Sequence, residues 1–144
     1  MITVKHITYV NDNLRINAED QEEKEEREAH GIFDGFRMQT VIFLDYKEML
    51  RVSTFGDYHV FHKRRSIGPD RWYETALICD GEMEVLDGIY TDDLTGNRFG
   101  DNELAQQMHA DMVTKQVNAI KVQVEHGNDA STIKAGLRAS LTFA

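Results

Sequence analysis

Apolar and polar residues alternate along much of the first ninety positions, with the period of two that is typical of half-buried β-strands. Residues 2–10 predict one strand, and the polar cluster at residues 11–13 predicts a turn into a second strand at residues 14–16. The alternation resumes at Phe36 and continues to Tyr90. Connections of a few residues cannot hold the crossover helix that parallel strands need, so this region predicts an antiparallel meander.

The strands of this meander are separated by residues that favour turns. We expect turns at residues 46–48, 56–57, 66–70 and 80–81. With the N-terminal strand, the predicted sheet has about five to six strands. The expected strands of the meander are residues 36–45, 50–55, 58–63, 71–79 and 82–90.

Helical spacing replaces the alternation after Tyr90. A long helix is predicted to be capped by Asp101 or Asn102 and to end at Gly127. Residues 119–125 also alternate strictly, so they fit a last strand equally well. A short second helix is predicted from Asp129, with Ile133, Leu137 and Leu141 on one face. The apolar residues that predict the long helix are Leu104, Met108, Met112, Val113, Val117, Ile120 and Val124.

The segment AEDQEEKEEREAHG at residues 18–31 is rich in helix formers and contains almost no apolar residue. It predicts a solvated surface helix, supported by a pair of opposite charges four residues apart, Glu23 and Arg27. The alternative is an acidic docking surface for a partner. The residues that would form that surface are Glu22, Glu23, Glu25 and Glu26.

Together these elements predict an α+β fold in a single domain that spans residues 1–144. A meander would be covered on one face by the long C-terminal helix, with a short helix after it and the acidic helix near the N-terminus. In its element order the chain resembles the helix-grip, or START-like, ligand-binding fold. That resemblance implies a carrier whose sheet and long helix enclose a pocket for a small ligand.

Composition narrows the class of protein. Apolar residues make up 41% of the 144 positions, and the longest apolar run is far shorter than the ~20 residues that cross a membrane. A single cysteine, Cys79, excludes an internal disulfide and fits a buried small hydrophobic residue. We therefore expect a cytoplasmic protein that does not bind membranes. The sequence has no phosphate-binding loop, nucleophile motif or metal-ligand spacing that is specific, so we expect no cofactor and no metal.

Charge is distributed unevenly in this chain, whose net charge is −9. Residues 67–104 carry ten acids and two bases, whereas residues 31–66 carry four acids and six bases. The basic residues cluster at the end of a predicted strand, near aromatic residues. Arginine forks suit phosphate or carboxylate, and aromatic rings can stack on bases, so this cluster predicts an anion-binding rim. The predicted rim comprises Arg51, His62, Lys63, Arg64, Arg65, Arg71, Trp72 and Tyr73.

One pattern indicates an enzyme. Asp34 precedes the sequence Asp45-Tyr46-Lys47, and two carboxylates with a lysine two positions after the second can hold Mg²⁺ and position a water. The pattern resembles the PD-(D/E)xK motif of metal-dependent nucleases, although Phe33 stands where that motif has proline. The resemblance implies a nuclease or phosphodiesterase that uses Asp34, Asp45 and Lys47 as catalytic residues.

The functional hypothesis that fits most of these features is a non-enzymatic binding protein. Two acidic blocks and one basic rim favour an accessory or inhibitory protein, of the kind that phages encode, acting on a protein partner or on a nucleotide or phosphate ligand. Alternatively, the rim cations pair with the acidic residues 19–28 or 80–93, within the chain or between copies. We expect a homo-oligomer. The alternatives are the metal-dependent nuclease and the small-ligand carrier of helix-grip type.

Overall fold

The computed structural model of the chain describes residues 1–8, 32–60, 63–67 and 69–142. The predicted turn and strand at residues 11–16 lie outside these ranges. The acidic segment, with Glu22, Glu23, Glu25 and Glu26, and the rim residue His62 also lie outside them. The predictions for these residues therefore stay predictions.

The described residues form an antiparallel sheet with two helices after it, which confirms the predicted α+β class. Strands β1, β2, β3, β5 and β6 lie side by side in that order, and the short β4 pairs with the end of β3. All pairings are antiparallel. The predicted meander is thus confirmed. The strands are β1 (Ile2–Thr8), β2 (Ile32–Leu44), β3 (Lys47–Val60), β4 (Lys63–Arg65), β5 (Arg71–Cys79) and β6 (Glu82–Tyr90).

The turn that we predicted at residues 56–57 is wrong, because β3 continues through it as a β-bulge. Phe36 of β2 lies opposite Gly56, whereas Asp34 lies opposite His59, so β3 contains one extra residue between these pairs. Asp57 adopts a left-handed backbone with φ of 49°. A Cβ on Gly56 would lie 2.2 Å from the carbonyl oxygen of Trp72, so no larger residue fits there. The predicted strand 58–63 falls partly in β3, which ends at Val60, and partly in β4, which begins at Lys63.

Two helices follow the sheet, α1 (Arg98–Glu125) and α2 (Ala130–Thr142). Residues 119–125 are therefore helical, and the alternative of a last strand is wrong. The cap of α1 is Asn97, whose side chain accepts a hydrogen bond of 2.7 Å from the backbone N–H of Gly100, rather than Asp101 or Asn102. Neither helix has an apolar stretch long enough to cross a bilayer.

The core separates into two halves that lie along the sheet. In one half, apolar side chains of β2, β3 and β5 pack against the second half of α1 and against α2. Cys79 belongs to this half and is 2% exposed, which confirms the expected buried cysteine. We call this part of the core the apolar half. Its buried residues include Ile42, Leu50, Val52, Leu77, Ile120, Ile133 and Leu141.

The other half is rich in polar contacts, and we call it the polar half. Its buried apolar residues include Phe36, Tyr73, Ile89 and Ala105, and its buried polar side chains include Thr40, Thr54, Thr75, Asn102 and His109. Here the predicted helix face needs correction, because Leu104 is 39% exposed while the polar side chains of His109 and Gln116 are buried. The buried face of α1 therefore alternates apolar and polar residues at helical spacing.

Three polar contacts hold the start of α1, two of them to the sheet and one to the loop before the helix. Arg98 donates from Nε to the fully buried carboxylate of Asp57 at the bulge. The hydroxyl of Tyr73 donates to Asn102 Oδ1 at 2.6 Å. The buried carboxylate of Asp101 accepts hydrogen bonds from the backbone and side chain of Thr95. These contacts set the position at which α1 crosses the sheet.

Candidate ligand-binding site

A chain of hydrogen bonds joins two histidines and three threonines between the sheet and α1. His109 of α1 contacts Thr40 Oγ1 through Nε2 at 2.8 Å and Thr54 Oγ1 through Nδ1 at 2.7 Å. Thr54 continues to Thr75 Oγ1 at 2.6 Å. On the other side, Thr40 Oγ1 contacts His6 Nδ1 at 2.8 Å. The chain therefore runs from His6 on β1 to Thr75 on β5.

Strand register gathers these side chains on one face of the sheet. His6 lies directly opposite Thr40, and Thr54 lies directly opposite Thr75. Thr40 pairs with Val52, which is two positions before Thr54 on β3. Because residues two apart on a strand point to the same face, the hydroxyls form one row beneath α1.

His109 is neutral near pH 7, because burial, with a smaller contribution from the nearby His6, lowers its pKa to about 4. A neutral imidazole donates from one nitrogen and accepts at the other, and each hydroxyl donates once. Every bond in the row can then be satisfied with all donors oriented the same way along the chain. The direction of donation at Thr40 and Thr54 therefore reflects which nitrogen of His6 carries a proton.

The row forms one end of a cleft between β1, β2 and α1, with a volume of about 590 Å³. Its walls are mainly aliphatic, and its rim carries amides, a hydroxyl and one ammonium group. Among the described residues that line the cleft, Lys121 is the one Lys, Arg, Asp or Glu. The lining residues are Ile2, Val4, His6, Met38, Gln106, His109, Ala110, Val113, Thr114, Val117, Asn118 and Lys121.

The cleft is elongated, with a different polar group at each end. His109 contacts Thr40 at the level of His6, whereas Ile2 of β1 and Val117 of α1 both pack against the apolar half of the core. Helix α1 therefore runs antiparallel to β1, and Lys121 lies at the Ile2 end. Twelve helical residues separate His109 from Lys121, which corresponds to about 18 Å.

His6 is the histidine of this pair that solvent and ligands can reach. It is exposed, whereas His109 is 2% exposed. Its Nδ1 is occupied by Thr40, and Nε2 has no hydrogen-bond partner among the described residues. His6 thus presents one imidazole nitrogen at the cleft, held in orientation by the threonine behind it.

The structure does not gather the predicted anion-binding rim as a single group. Arg51 lies seven residues before Tyr58, the β3 partner of Arg65, which along an extended strand is on the order of 20 Å away. The Arg51 guanidinium donates to Glu48 at 2.8 Å. The backbone of β4 places Lys63, Arg64 and Arg65 beside β3. Their role in anion binding stays a prediction.

Arg71, Trp72 and Tyr73 begin β5 and have partners inside the protein. Arg71 pairs with Glu74 and lies over the ring of Tyr90, 5.9 Å from its centroid. Trp72 donates from Nε1 to Thr91 Oγ1 at 3.0 Å. Tyr73 is fully buried, so its ring is not on the surface in this structure.

The predicted nuclease residues lie too far apart to share a metal ion. Asp34 pairs with His59 near the start of β2, whereas Asp45 lies in the turn after the end of β2. Eleven positions of extended chain separate the backbones of the two aspartates by on the order of 30 Å. Asp45 instead contacts the N-terminal ammonium of Met1 at 2.6 Å, and Lys47 donates to Ser131 at 3.0 Å. The register therefore does not bring Asp34 beside Asp45 and Lys47, as the PD-(D/E)xK interpretation expects.

Among the residues that the structure describes, no group of three or more His, Cys, Asp or Glu side chains is placed to hold a metal ion. Comparison of the chain with protein-family models, curated proteins and solved structures finds no match. The case for a function therefore depends on the geometry of the cleft.

The sequence pattern does not point to His6 and His109 as a pair, because they lie more than one hundred positions apart in the chain. A weak signal was present for each. His6 alternates with Val4 and Ile2 on one face of the predicted strand. His109 lies three and four residues from Met112 and Ala105, which is the spacing of a buried helix face.

Proposed function

We propose that this protein binds a small amphipathic carboxylate in the cleft between β1, β2 and α1. The observation that supports this proposal is a cleft of about 590 Å³ with aliphatic walls, an imidazole at one end and an ammonium group at the other. Clefts of this size and composition are typical of small-molecule sites. The proposal keeps the carrier alternative that the element order suggested.

The aliphatic walls favour an apolar ligand body. Val4 is 42% exposed on β1 and faces the exposed Ala110 and partly buried Val113 of α1 across the cleft. A hydrocarbon chain that fills this space removes apolar surface of both ligand and protein from water, at roughly 25 cal/mol per Å². The elongated shape favours a chain rather than a compact ring system.

The two polar ends favour a ligand with a carboxylate. Lys121 is a cation at the Ile2 end, so it attracts an anionic group and repels a cationic one. At the other end, His6 Nε2 offers one hydrogen bond to a hydroxyl or carbonyl group. The ligand expected from this geometry carries its carboxylate at Lys121 and a neutral polar group at His6.

Isothermal titration with dodecanoate and its ω-hydroxy derivative, below their micellar concentrations, tests this proposal. The wild type should bind both, and the hydroxy acid more tightly, because it also reaches His6. Lys121→Gln should weaken both by about tenfold, the effect of losing a hydrogen bond to a charged group.

Filling the cleft provides the decisive variant. Ala110→Trp places an indole between the walls and should abolish binding, while Ala119→Trp adds the same side chain to the same helix outside the cleft. Both alanines are exposed, so neither substitution should disturb the core. Dodecanoate binding that survives Ala110→Trp, or that is lost equally in Ala119→Trp, would refute the proposal.

A second candidate function is the binding of a basic protein segment along β6. This strand ends the strand order of the described sheet, so its outer edge has no strand partner among the described residues. Met83 is 57% exposed and Leu86 is 41% exposed, beside the acids Glu82, Glu84 and Asp87. Open edges accept extended peptides by main-chain pairing, and this one would favour a basic segment.

Affinity capture with charge-matched bait tests this second candidate. Bait carrying Glu82→Gln and Glu84→Gln should lose a basic partner that wild-type bait retains. Control bait carrying Glu103→Gln and Glu125→Gln, two exposed acids of α1, has the same net charge and should keep it. Equal recovery with both baits would mean that β6 is not the docking edge.

A further inference from the structure

A second concavity, which we call the basic groove, lies between α2 and two turns of the sheet. Its volume is about 490 Å³. Three of its lining side chains are cations, and one is a carboxylate, in a chain whose net charge is −9. The lining residues are Lys47, Asp80, Ser131, Lys134, Ala135, Arg138 and Ala139.

The fold brings these residues together from three separate parts of the chain. Lys134 and Arg138 are four positions apart on α2, so they share one face of that helix. Lys47 begins β3, and Asp80 lies in the turn between β5 and β6. Because β3 and β5 are antiparallel, the start of one and the end of the other meet at the same end of the sheet.

The side chains that line the groove carry three positive charges and one negative charge. The carboxylate of Asp80 pairs with Lys134 at 3.1 Å. Lys47 donates to the neutral hydroxyl of Ser131 at 3.0 Å. Three cations thus share one concave surface with a single lining carboxylate, and their mutual repulsion is relieved when an anion binds between them.

We propose that the basic groove binds a phosphomonoester. Arg138 supplies a planar fork that matches two phosphate oxygens, and Lys47 and Lys134 supply point charges beside it. Ser131 adds a hydroxyl as a further hydrogen-bonding group. The short side chains Ala135 and Ala139 leave room for the organic part of the ligand.

The site depends on side chains rather than on the N-terminus of α2. Asp129 already accepts a hydrogen bond of 2.8 Å from the backbone N–H of Thr132 in the first turn. That bond lowers the pKa of the Asp129 carboxyl, so the helix end is occupied by a carboxylate near neutral pH. The proposal is independent of the carboxylate-binding cleft, which lies against other residues.

Titration with phenyl phosphate and inorganic phosphate at low ionic strength tests the basic groove. The wild type should bind phenyl phosphate, and Arg138→Gln should weaken binding about tenfold, as expected for loss of a charged hydrogen bond. Lys115→Gln removes an exposed cation of α1 that does not line the groove, and should leave the affinity unchanged. If both variants weaken phenyl phosphate binding equally, the loss comes from the change in overall charge, and the proposal is wrong.

Asp80→Asn provides a test that misfolding cannot imitate, because the expected result is a gain of binding. The substitution removes the one lining carboxylate and releases Lys134 for the ligand. Asparagine tolerates the left-handed backbone of this position, where φ is 49°. Phenyl phosphate should bind several-fold more tightly to Asp80→Asn than to the wild type. Unchanged or weaker binding, or no binding to either protein at millimolar concentration, would refute the proposal.

Discussion

The two halves of the core hold the same helix by different physical means. In the apolar half, Ile120 packs among aliphatic side chains that impose no direction on its contacts. In the polar half, His109 contacts two named hydroxyls, and Arg98 and Asn102 each contact one named partner on the sheet. The apolar half supplies most of the burial, and the polar half sets where α1 crosses the sheet.

The difference also explains why the cleft lies where it does. Hydrogen bonds to Thr40 and Thr54 fix the distance between His109 and the sheet. Beside this fixed point, β1 lies at the edge of the described sheet, and its exposed side chains are separated from α1 by the cleft. A fully apolar interface would gain by closing this space, whereas hydrogen bonds of fixed length hold it open.

The largest effect on stability should come from the apolar half. Ile120→Ala removes a side chain that is 1% exposed and leaves a cavity, so the free energy of unfolding should fall by about 4 kcal/mol. Val122→Ala, on the same helix but 46% exposed, should change it by less than about 0.5 kcal/mol. Urea unfolding measures both. Similar losses in the two variants would mean that α1 does not bury this face.

Breaking the buried ion pair should have the next largest effect. Asp57→Asn removes the negative charge that Arg98 contacts, and the free energy of unfolding should fall by about 3 kcal/mol. Asp80→Asn is the matched control, since both aspartates have φ of 49° but Asp80 pairs at the surface. The control should lose less than about 1 kcal/mol. If the two variants unfold alike, the contact between Asp57 and Arg98 does not fix α1.

The periodic pattern predicted the apolar half well and the polar half poorly. Hydrophobic spacing located the strands, and Ile133 and Leu141 were placed correctly on the buried face of α2. A buried threonine in a strand has the same pattern as one on the solvent face, so Thr40 and Thr54 gave no signal. The bulge was missed because Gly-Asp is typical of turns. The structure shows why glycine is needed at the bulge, because the carbonyl oxygen of Trp72 lies too close to Gly56 for a Cβ atom.

The candidate sites depended on contacts that are distant in sequence. The sequence predicts an anion site where three cations are adjacent, at Lys63–Arg65, and this stays a prediction. The proposed basic groove combines Lys47 with Lys134 and Arg138, which only the packing of α2 against the sheet brings together. Likewise, His6 and His109 meet the same threonine from positions more than one hundred residues apart.

Lowering the pH should weaken the polar half, and the free energy of unfolding should fall by less than in the two substitutions above. The pKa of His109 is about 4 in the folded protein and near 6.5 in the unfolded chain. The unfolded chain therefore binds a proton first as the pH falls, so the stabilisation by neutral His109 is complete above pH 6.5 and is lost toward pH 4. Between pH 7.5 and pH 5, this group should reduce the free energy of unfolding by about 2 kcal/mol.

The variant His109→Gln isolates this contribution, because glutamine does not titrate. Wild type and variant should differ most at pH 7.5, and the difference should shrink by about 2 kcal/mol at pH 5. His126→Gln, at an exposed position after α1, should keep the pH dependence of the wild type. A difference between wild type and His109→Gln that is the same at both pH values would contradict neutral burial of His109.

The smallest effect is expected at the inner end of the hydrogen-bond row. Thr75→Val keeps the shape of the side chain but removes the hydroxyl that pairs with Thr54 at 2.6 Å. The free energy of unfolding should fall by about 1 kcal/mol. Thr3→Val, at an exposed position of β1, serves as the control and should be neutral within about 0.5 kcal/mol. A loss no larger than in the control would show that Thr75 does not support the row.

NMR titration of the labelled protein with ω-hydroxydodecanoate tests most directly whether the cleft holds a small amphipathic carboxylate between His6 and Lys121. The amide signals of β1 and of residues 106–121 of α1 should shift together and saturate. The imidazole signals of His6 should also shift, while those of the buried His109 should change less. Saturable shifts confined to other regions, or no saturable shift below the micellar concentration, would contradict the claim.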